Sequence, residues 1–385
     1  MYLDTAATTP VRREALEAAW PYLTGEFGNP SSHHRFGERA AEALDDARAR
    51  VASVLKIRSG DVSFTSSGTE ADNLAVIGIA LGAVCDSSSG RLNGRHLVTS
   101  PLEHEAVLAS ADFLKRMHGF EVTYVEVESD GSVTTKALLN AIRPDTVLVS
   151  LSYANNEIGT VTDIPALADI AHQYGVPFHS DCVQAAGWLP LSGLGTDAIT
   201  LAGHKVGAPK GVGVAAIRGR LPVEPLIHGG GQERGRRSGT ENVAFAVALA
   251  TALELAEQER EAVARHVTPI RDTFITRVLA DVPGAFLTGS ATSRLPNHAS
   301  FCFTATSGEA VLLELERRGV IASSGSACAA GSDEPSHVLT AIGIDEATAQ
   351  TSVRFTFPSS VQPEHGIAAA DAVASAVRSL ESTYH

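Results

Sequence analysis

Three short stretches carry residue types suited to chemistry on an amine. In the first, Gly203-His204-Lys205 stands between two apolar segments, 198–201 and 212–217, within a Gly-punctuated turn. Both segments read as buried strands, so Lys205 falls at a strand end, where poor solvation favours its neutral amine. A neutral amine in a shaped site forms a Schiff base with an aldehyde, although a lysine taken alone is more often a snorkelling surface residue. In the second stretch Asp181 closes the apolar run 177–180 and Gln184 follows three residues later. A carboxylate there keeps a facing pyridine nitrogen protonated and turns the ring into an electron sink; helix capping is the competing role. In the third, Ser66-Ser67-Gly68-Thr69-Glu70-Ala71-Asp72-Asn73 opens a helix after the strand 62–65. Its N–H groups and hydroxyls make a phosphate cradle, or else a plain Ser/Thr cap with Glu in the first turn.

These stretches need a frame that brings strand ends together. From residue 61 to about 217 short apolar runs (62–65, 96–99, 121–125, 146–150, 177–180, 198–201 and 212–217) alternate with helical patterns. That alternation predicts an α/β fold, a mainly parallel sheet covered by helices on both faces. Ligands of such sheets bind beyond the C-terminal ends of the strands. Two more residues fall there. His104 follows 96–99 and is either a helix-start residue or a flat ring to stack on an aromatic cofactor. Asn155, in Asn155-Asn156 after 146–150, is either turn chemistry or a donor to a ligand oxygen. Phosphate cradle, flat histidine, acidic strand end and strand-end lysine, in that order, describe a pyridoxal phosphate site.

Ahead of this region, residues 2–10 form an extended arm, with Pro10 placed to open the first helix. Helical spacing of Ala40, Ala43, Leu44, Ala47, Val51 and Val54 marks another helix. Residues 243–279 read as one long helix and a second after Thr268-Pro269, and strands 300–304 and 352–357 with helices 308–317 and 363–380 make a smaller α+β unit. The expected division is an arm at 1–15, a large domain at 16–258 and a small domain at 259–385.

The 385 residues are 44% hydrophobic and 19% charged, with a formal net charge of −14. This balance suits a globular enzyme and argues against nucleic acid or an anionic membrane as the main partner. The apolar run near 243–253 is too short and too alanine-rich to span a bilayer. The first residues read as ordered structure rather than as a signal or transit peptide. Cys85, Cys182, Cys302 and Cys328 form no CxxC pair, so a reducing cytoplasm is the expected location.

The ordered motifs resemble those of the cysteine desulfurases, class V members of the fold-type-I pyridoxal-phosphate enzymes, and most of all the iron–sulfur-assembly subgroup. The resemblance runs from Tyr2-Leu3-Asp4-Thr5-Ala6-Ala7-Thr8-Thr9-Pro10 to Val353-Arg354-Phe355. Between them lie Gly28-Asn29-Pro30-Ser31-Ser32, Glu103-His104, Gly203-His204-Lys205, Arg237-Ser238-Gly239-Thr240 and Ser324-Gly325-Ser326-Ala327-Cys328. It implies a large domain with a seven-stranded sheet and a smaller α+β domain. It also implies that Lys205 holds the cofactor, Asp181 pairs with the ring nitrogen, Gln184 reaches the ring hydroxyl and His104 stacks on the ring. Gly68, Thr69 and His204 would bind the phosphate, Thr240 would serve the phosphate of the other subunit of a homodimer, and Asn155 and Arg354 would hold the substrate carboxylate. One position departs from the family: a serine usual three residues before the lysine is Ala202 here.

Cys328 is the second expected centre. The small residues around it make an exposed, mobile loop tip suited to carrying sulfur, whereas Cys302 sits in an apolar strand as a core residue. The implied reaction converts L-cysteine to L-alanine, with the sulfur left as a persulfide on Cys328 and passed to an iron–sulfur scaffold or a tRNA-thiolation protein. A selenocysteine lyase and a class V aminotransferase that does not use Cys328 share the cofactor residues, and a non-catalytic assembly scaffold is the alternative outside enzymes.

Overall fold

The structure, a computed structural model, describes residues 1–85, 94–304, 306–325 and 334–381. Cys328 lies outside these residues. Short helices α1 (Arg13–Thr24) and α2 (Arg35–Leu55) lead into strand β1 (Val62–Thr65). The chain then alternates α3 (Gly68–Asn73), which runs on through a π-helical turn into α4 (Ile79–Cys85), then β2 (His96–Thr99), α5 (Glu105–His118), β3 (Glu121–Tyr124), α6 (Thr135–Ala141), β4 (Thr146–Ser150), α7 (Ile164–Gln173) and β5 (Phe178–Asp181). Strands β6 (Ala198–Ala202) and β7 (Gly213–Ile217) follow. They complete a seven-stranded sheet of order β1-β7-β6-β5-β4-β2-β3. Strand β7 pairs antiparallel with β1 and with β6, and the other pairings are parallel. Six of its strands, all but the edge strand β3, are buried along their whole length, as strands covered on both faces must be.

Helix α8 (Val243–Asp281) links this layer to a second one, made of β8 (Ala285–Leu287), β9 (His298–Phe303), α9 (Gly308–Arg317), α10 (His337–Ala341), α11 (Glu346–Ala349), β10 (Val353–Thr356) and α12 (Pro363–Glu381). Its three strands form an antiparallel sheet, β10-β9-β8. The expected break at Pro269 does not occur, and α8 is a single helix of 39 residues. Its first half, through Ala256, buries into the core of the large sheet. Its second half packs Val267, Ile270, Phe274 and Val278 into a separate core with Phe301, Phe355 and Phe357. An interior proline costs a helix about 3 kcal/mol. Val267 and Ile270, 0% and 5% exposed on either side of it, show how fully this stretch is buried instead. A second difference lies at the start, where Pro10 stays in the arm and α1 begins at Arg13. The helical run Gly68–Cys85 is apolar and long enough to cross a bilayer, but 61% of it is buried under the sheet.

The arm belongs to the second core. Tyr2 and Asp4 make parallel bridges to Ile321 and Thr356, and Leu3 is fully buried among the phenylalanines of that core.

Candidate active site

Beyond the C-terminal edge of the large sheet lies a cavity of about 360 Å³. Its walls include Gly68 and Thr69 from the start of α3, His104 before α5, Asp181 at the end of β5, Gln184, His204 and Lys205 after β6, and Arg354 from β10. All but Arg354, which lies within β10, are there because a buried strand stops and the chain must turn. Lys205 leaves β6 through a single helical turn of residues 203–205. Its Nζ, half-buried, donates to the carbonyl of Ala7 at 2.9 Å and to that of Ala6.

At one end of the cavity the chain builds an anion seat. Ser67 caps α3, its Oγ accepting from the Glu70 N–H at 3.1 Å, and the first turn of a helix presents unpaired N–H groups and a positive dipole. Gly68 lets the start of α3 pack closely on the end of β6: a Cβ on it would stand 3.1 Å from the Ala202 Cβ and 3.2 Å from the Val183 Cγ2. His204 stands beside it, its Nδ1 3.1 Å from Thr8 Oγ1. Burial first, then the Lys205 charge, lowers its pKa to about 4, so it is a neutral ring.

At the other end carboxyls gather. Asp181 is buried, and burial pushes its pKa up against the Val183 N–H, which donates to its Oδ1 at 2.8 Å. Asp72 from α3 reaches the same cavity and accepts from Thr200 Oγ1 at 2.5 Å. Thr200 is the ladder partner of Asp181 and lies 3.1 Å from His179, whose other nitrogen is 2.8 Å from Ser150 Oγ. Burial raises Asp72 well above the usual carboxylate range and drops His179 to about 3. Glu103, next to His104, is wholly buried and lifted to about 8. Sequence reasoning quoted Asp72 and Glu103 within motifs but gave neither a role. Both sit in stretches whose local pattern is explained by helix starts, and only the fold turns them towards Asp181.

Of the two roles that the sequence leaves open for Asn155, the structure shows turn chemistry. Its Nδ2 donates to the Leu102 carbonyl at 2.8 Å and its Oδ1 accepts from Glu157 and Ile158 N–H groups. It organises its own loop, while Asn156 lines the cavity and gives its carbonyl to Arg354 Nη1 at 3.1 Å. Gln184 donates to the Ala6 carbonyl at 3.1 Å. Thr240 is exposed and does not line the cavity of its own chain. His104 caps α5, its Nδ1 accepting from the Ala106 N–H, with its ring on the cavity wall. Of the described cysteines, Cys302 is buried in β9 with its thiol pushed up by burial to about 11, Cys182 is buried next to Asp181 with its thiol pushed up by burial, and Cys85 is exposed.

An amine between a helix N-terminus and a buried carboxyl, with a flat ring on one wall, suits a phosphorylated pyridine aldehyde. The start of α3 at Gly68 and Thr69 and the buried carboxyl of Asp181, all on the cavity wall, fit that group. The fold and the cavity define an α/β pyridoxal-phosphate enzyme. The chain belongs to the aminotransferase class-V family, whose model matches residues 1–364. It is 43% identical to a protein of Dictyoglomus turgidum named cysteine desulfurase IscS, over 92% of this chain and 89% of that one. It is also similar to the solved structure of a NifS-like protein, with 33% identity and a TM-score of 0.89 over 98% of this chain and 99% of that one. Another solved structure, SspA in complex with cysteine, matches at 34% identity and a TM-score of 0.80 over 93% and 99%.

Proposed function

We infer that the chain is a pyridoxal-phosphate-dependent cysteine desulfurase that takes sulfur from L-cysteine and supplies it to an acceptor protein. The observation that carries this reading is the single cavity shared by Lys205, Asp181, His104, the start of α3 and Arg354. Lys205 would hold the cofactor covalently, Asp181 would face its ring nitrogen, Gln184 its ring hydroxyl, and Gly68, Thr69 and His204 its phosphate. Bound there, pyridoxal phosphate supplies an aldehyde for the substrate amine and a protonated ring that draws electrons from the α-carbon.

The chain's own residues do the rest. Arg354 takes the substrate carboxylate, for which a guanidinium fork is the matching shape, and Asn155 keeps the neighbouring loop in place for it. Lys205 removes the α-proton and later returns a proton to the carbon skeleton. His104 holds the proton of the substrate thiol. Cys328, as thiolate, attacks the substrate sulfur; an S–S bond forms as the C–S bond breaks. L-cysteine and one enzyme thiol thus become L-alanine and one enzyme persulfide, with no external oxidant. The acceptor is an iron–sulfur scaffold or a tRNA-thiolation protein. We assign the protein to the cytoplasm as a homodimer, with residues 16–258 as the large domain and 259–385 as the small one.

The test is Cys328→Ala. Incubated with L-cysteine and alkylated, the wild type should carry a persulfide on the peptide holding Cys328, and the variant should carry none while still binding the substrate. Persulfide on Cys182 or Cys302, or undiminished alanine formation by the variant, would reject Cys328 as the sulfur carrier.

A further inference from the structure

The arm formed by residues 4–9 touches four candidate site residues that the sequence assigned to other roles. Ala6 and Ala7 receive Lys205, Ala6 receives Gln184, Thr8 meets His204, and Asp4 meets Arg354. The last contact is the most consequential. Asp4 Oδ1 lies 2.7 Å from Arg354 Nη2, with the two side chains 15% and 3% exposed. Arg354 lines the cavity and Asp4 does not, so the carboxylate grips the guanidinium from outside the space a substrate would take. On another side the Asn156 carbonyl holds Nη1, and Nε has no hydrogen-bond partner among the described residues.

The backbone fixes both partners of the pair. Thr356 donates to the Leu3 carbonyl at 2.7 Å, and Asp4 bridges Thr356, two residues along β10 from Arg354. Across the strand Arg354 exchanges backbone hydrogen bonds with Ser323, at 2.7 and 3.2 Å. A buried cation without a partner is strongly destabilising, and a guanidinium with one partner can still swing about its long stem. Two anchors, one charged and one neutral, remove both problems and leave N–H groups for a second carboxylate.

We propose that Asp4 is a positioning residue for substrate recognition: it holds the Arg354 guanidinium from behind so that the free N–H groups face the carboxylate of the incoming amino acid. This rests on the reading of Arg354 as the carboxylate-binding residue. Asp4 neither enters the cavity nor competes for the ligand.

The experiment compares two ligands on the purified holoenzyme, followed by the absorbance change of its bound cofactor. L-alanine carries the carboxylate and ethylamine is the same molecule without it. In Asp4→Ala, L-alanine should bind roughly tenfold more weakly, the scale of one lost hydrogen bond to a charged group, with ethylamine unchanged. KM for L-cysteine should rise by a similar factor while kcat falls less. Asp4→Asn keeps an oxygen in place and should retain most of the L-alanine affinity, which also covers the case in which the alanine variant misfolds. Equal loss for both ligands, loss for neither, or tighter L-alanine binding in either variant would overturn the proposal. Arg354→Lys separates the two readings: if it leaves L-alanine binding unaltered, the assignment of Arg354 fails, whatever Asp4 does.

Discussion

Glu103 is a buried carboxyl, placed one residue before a ring that lines the cavity. Its Oε2 has no close partner among the described residues, and burial lifts it to about 8 against hydrogen bonds from Ser152 and Ser100. A group whose folded pKa lies above its unfolded value of 4.5 stabilises the fold fully below that value, and the contribution is lost as pH rises through about 8. The slope for one proton is about 1.4 kcal/mol per pH unit. Glu103→Gln keeps the shape without the charge, so denaturant midpoints of the variant should stay flatter across that window than those of the wild type. Matching pH profiles would place the titration elsewhere. Lys205 and Asp181 were legible in the sequence because a strand end announces itself by the apolar run before it. Asp4 was not, since its meaning depends on which guanidinium the fold brings alongside, and for Asn155 the fold had to choose between two roles that the sequence left open.

Among the elements, α8 ties the two cores together. Phe274 on its second half meets the rings of Phe301, Phe355 and Phe357 edge-on, with centroids 5.9, 5.0 and 5.3 Å away. Phe274→Ala should cost about 3–5 kcal/mol, read from chemical denaturation. Because Phe355 follows Arg354 on β10, KM for L-cysteine should rise in the same variant at temperatures where it stays folded. An unchanged KM would mean that this core does not support the site. The apolar spacing of this helix was plain in the sequence, but its continuity was not. Proline is a strong stop signal on local grounds, and only the burial of the residues on either side of Pro269 explains why the helix runs through it.

At the scale of the whole molecule, the alternation of short apolar runs with helices was enough to read a mainly parallel sheet, because parallel strands need helical crossovers. The antiparallel insertion of β7 between β1 and β6 left no such mark. Thr240, exposed and outside its own cavity, tests the proposed dimer. A Lys205→Ala subunit and a Thr240→Ala subunit together rebuild one intact site, so mixing them under subunit exchange should raise activity at limiting cofactor above either parent. A mixture no better than its parents would count against a site shared between chains. The bond between Asp4 and Arg354 also has a consequence in time, since its partners lie 350 residues apart along the chain. A ribosome adding about 5–20 residues per second makes Arg354 about 20 s or more after Asp4. The large sheet and the arm's contacts with Gln184, His204 and Lys205 can form meanwhile, but Asp4 has no guanidinium to grip until β10 emerges. The Arg354 side of the cavity is therefore the last part of it to be completed during synthesis.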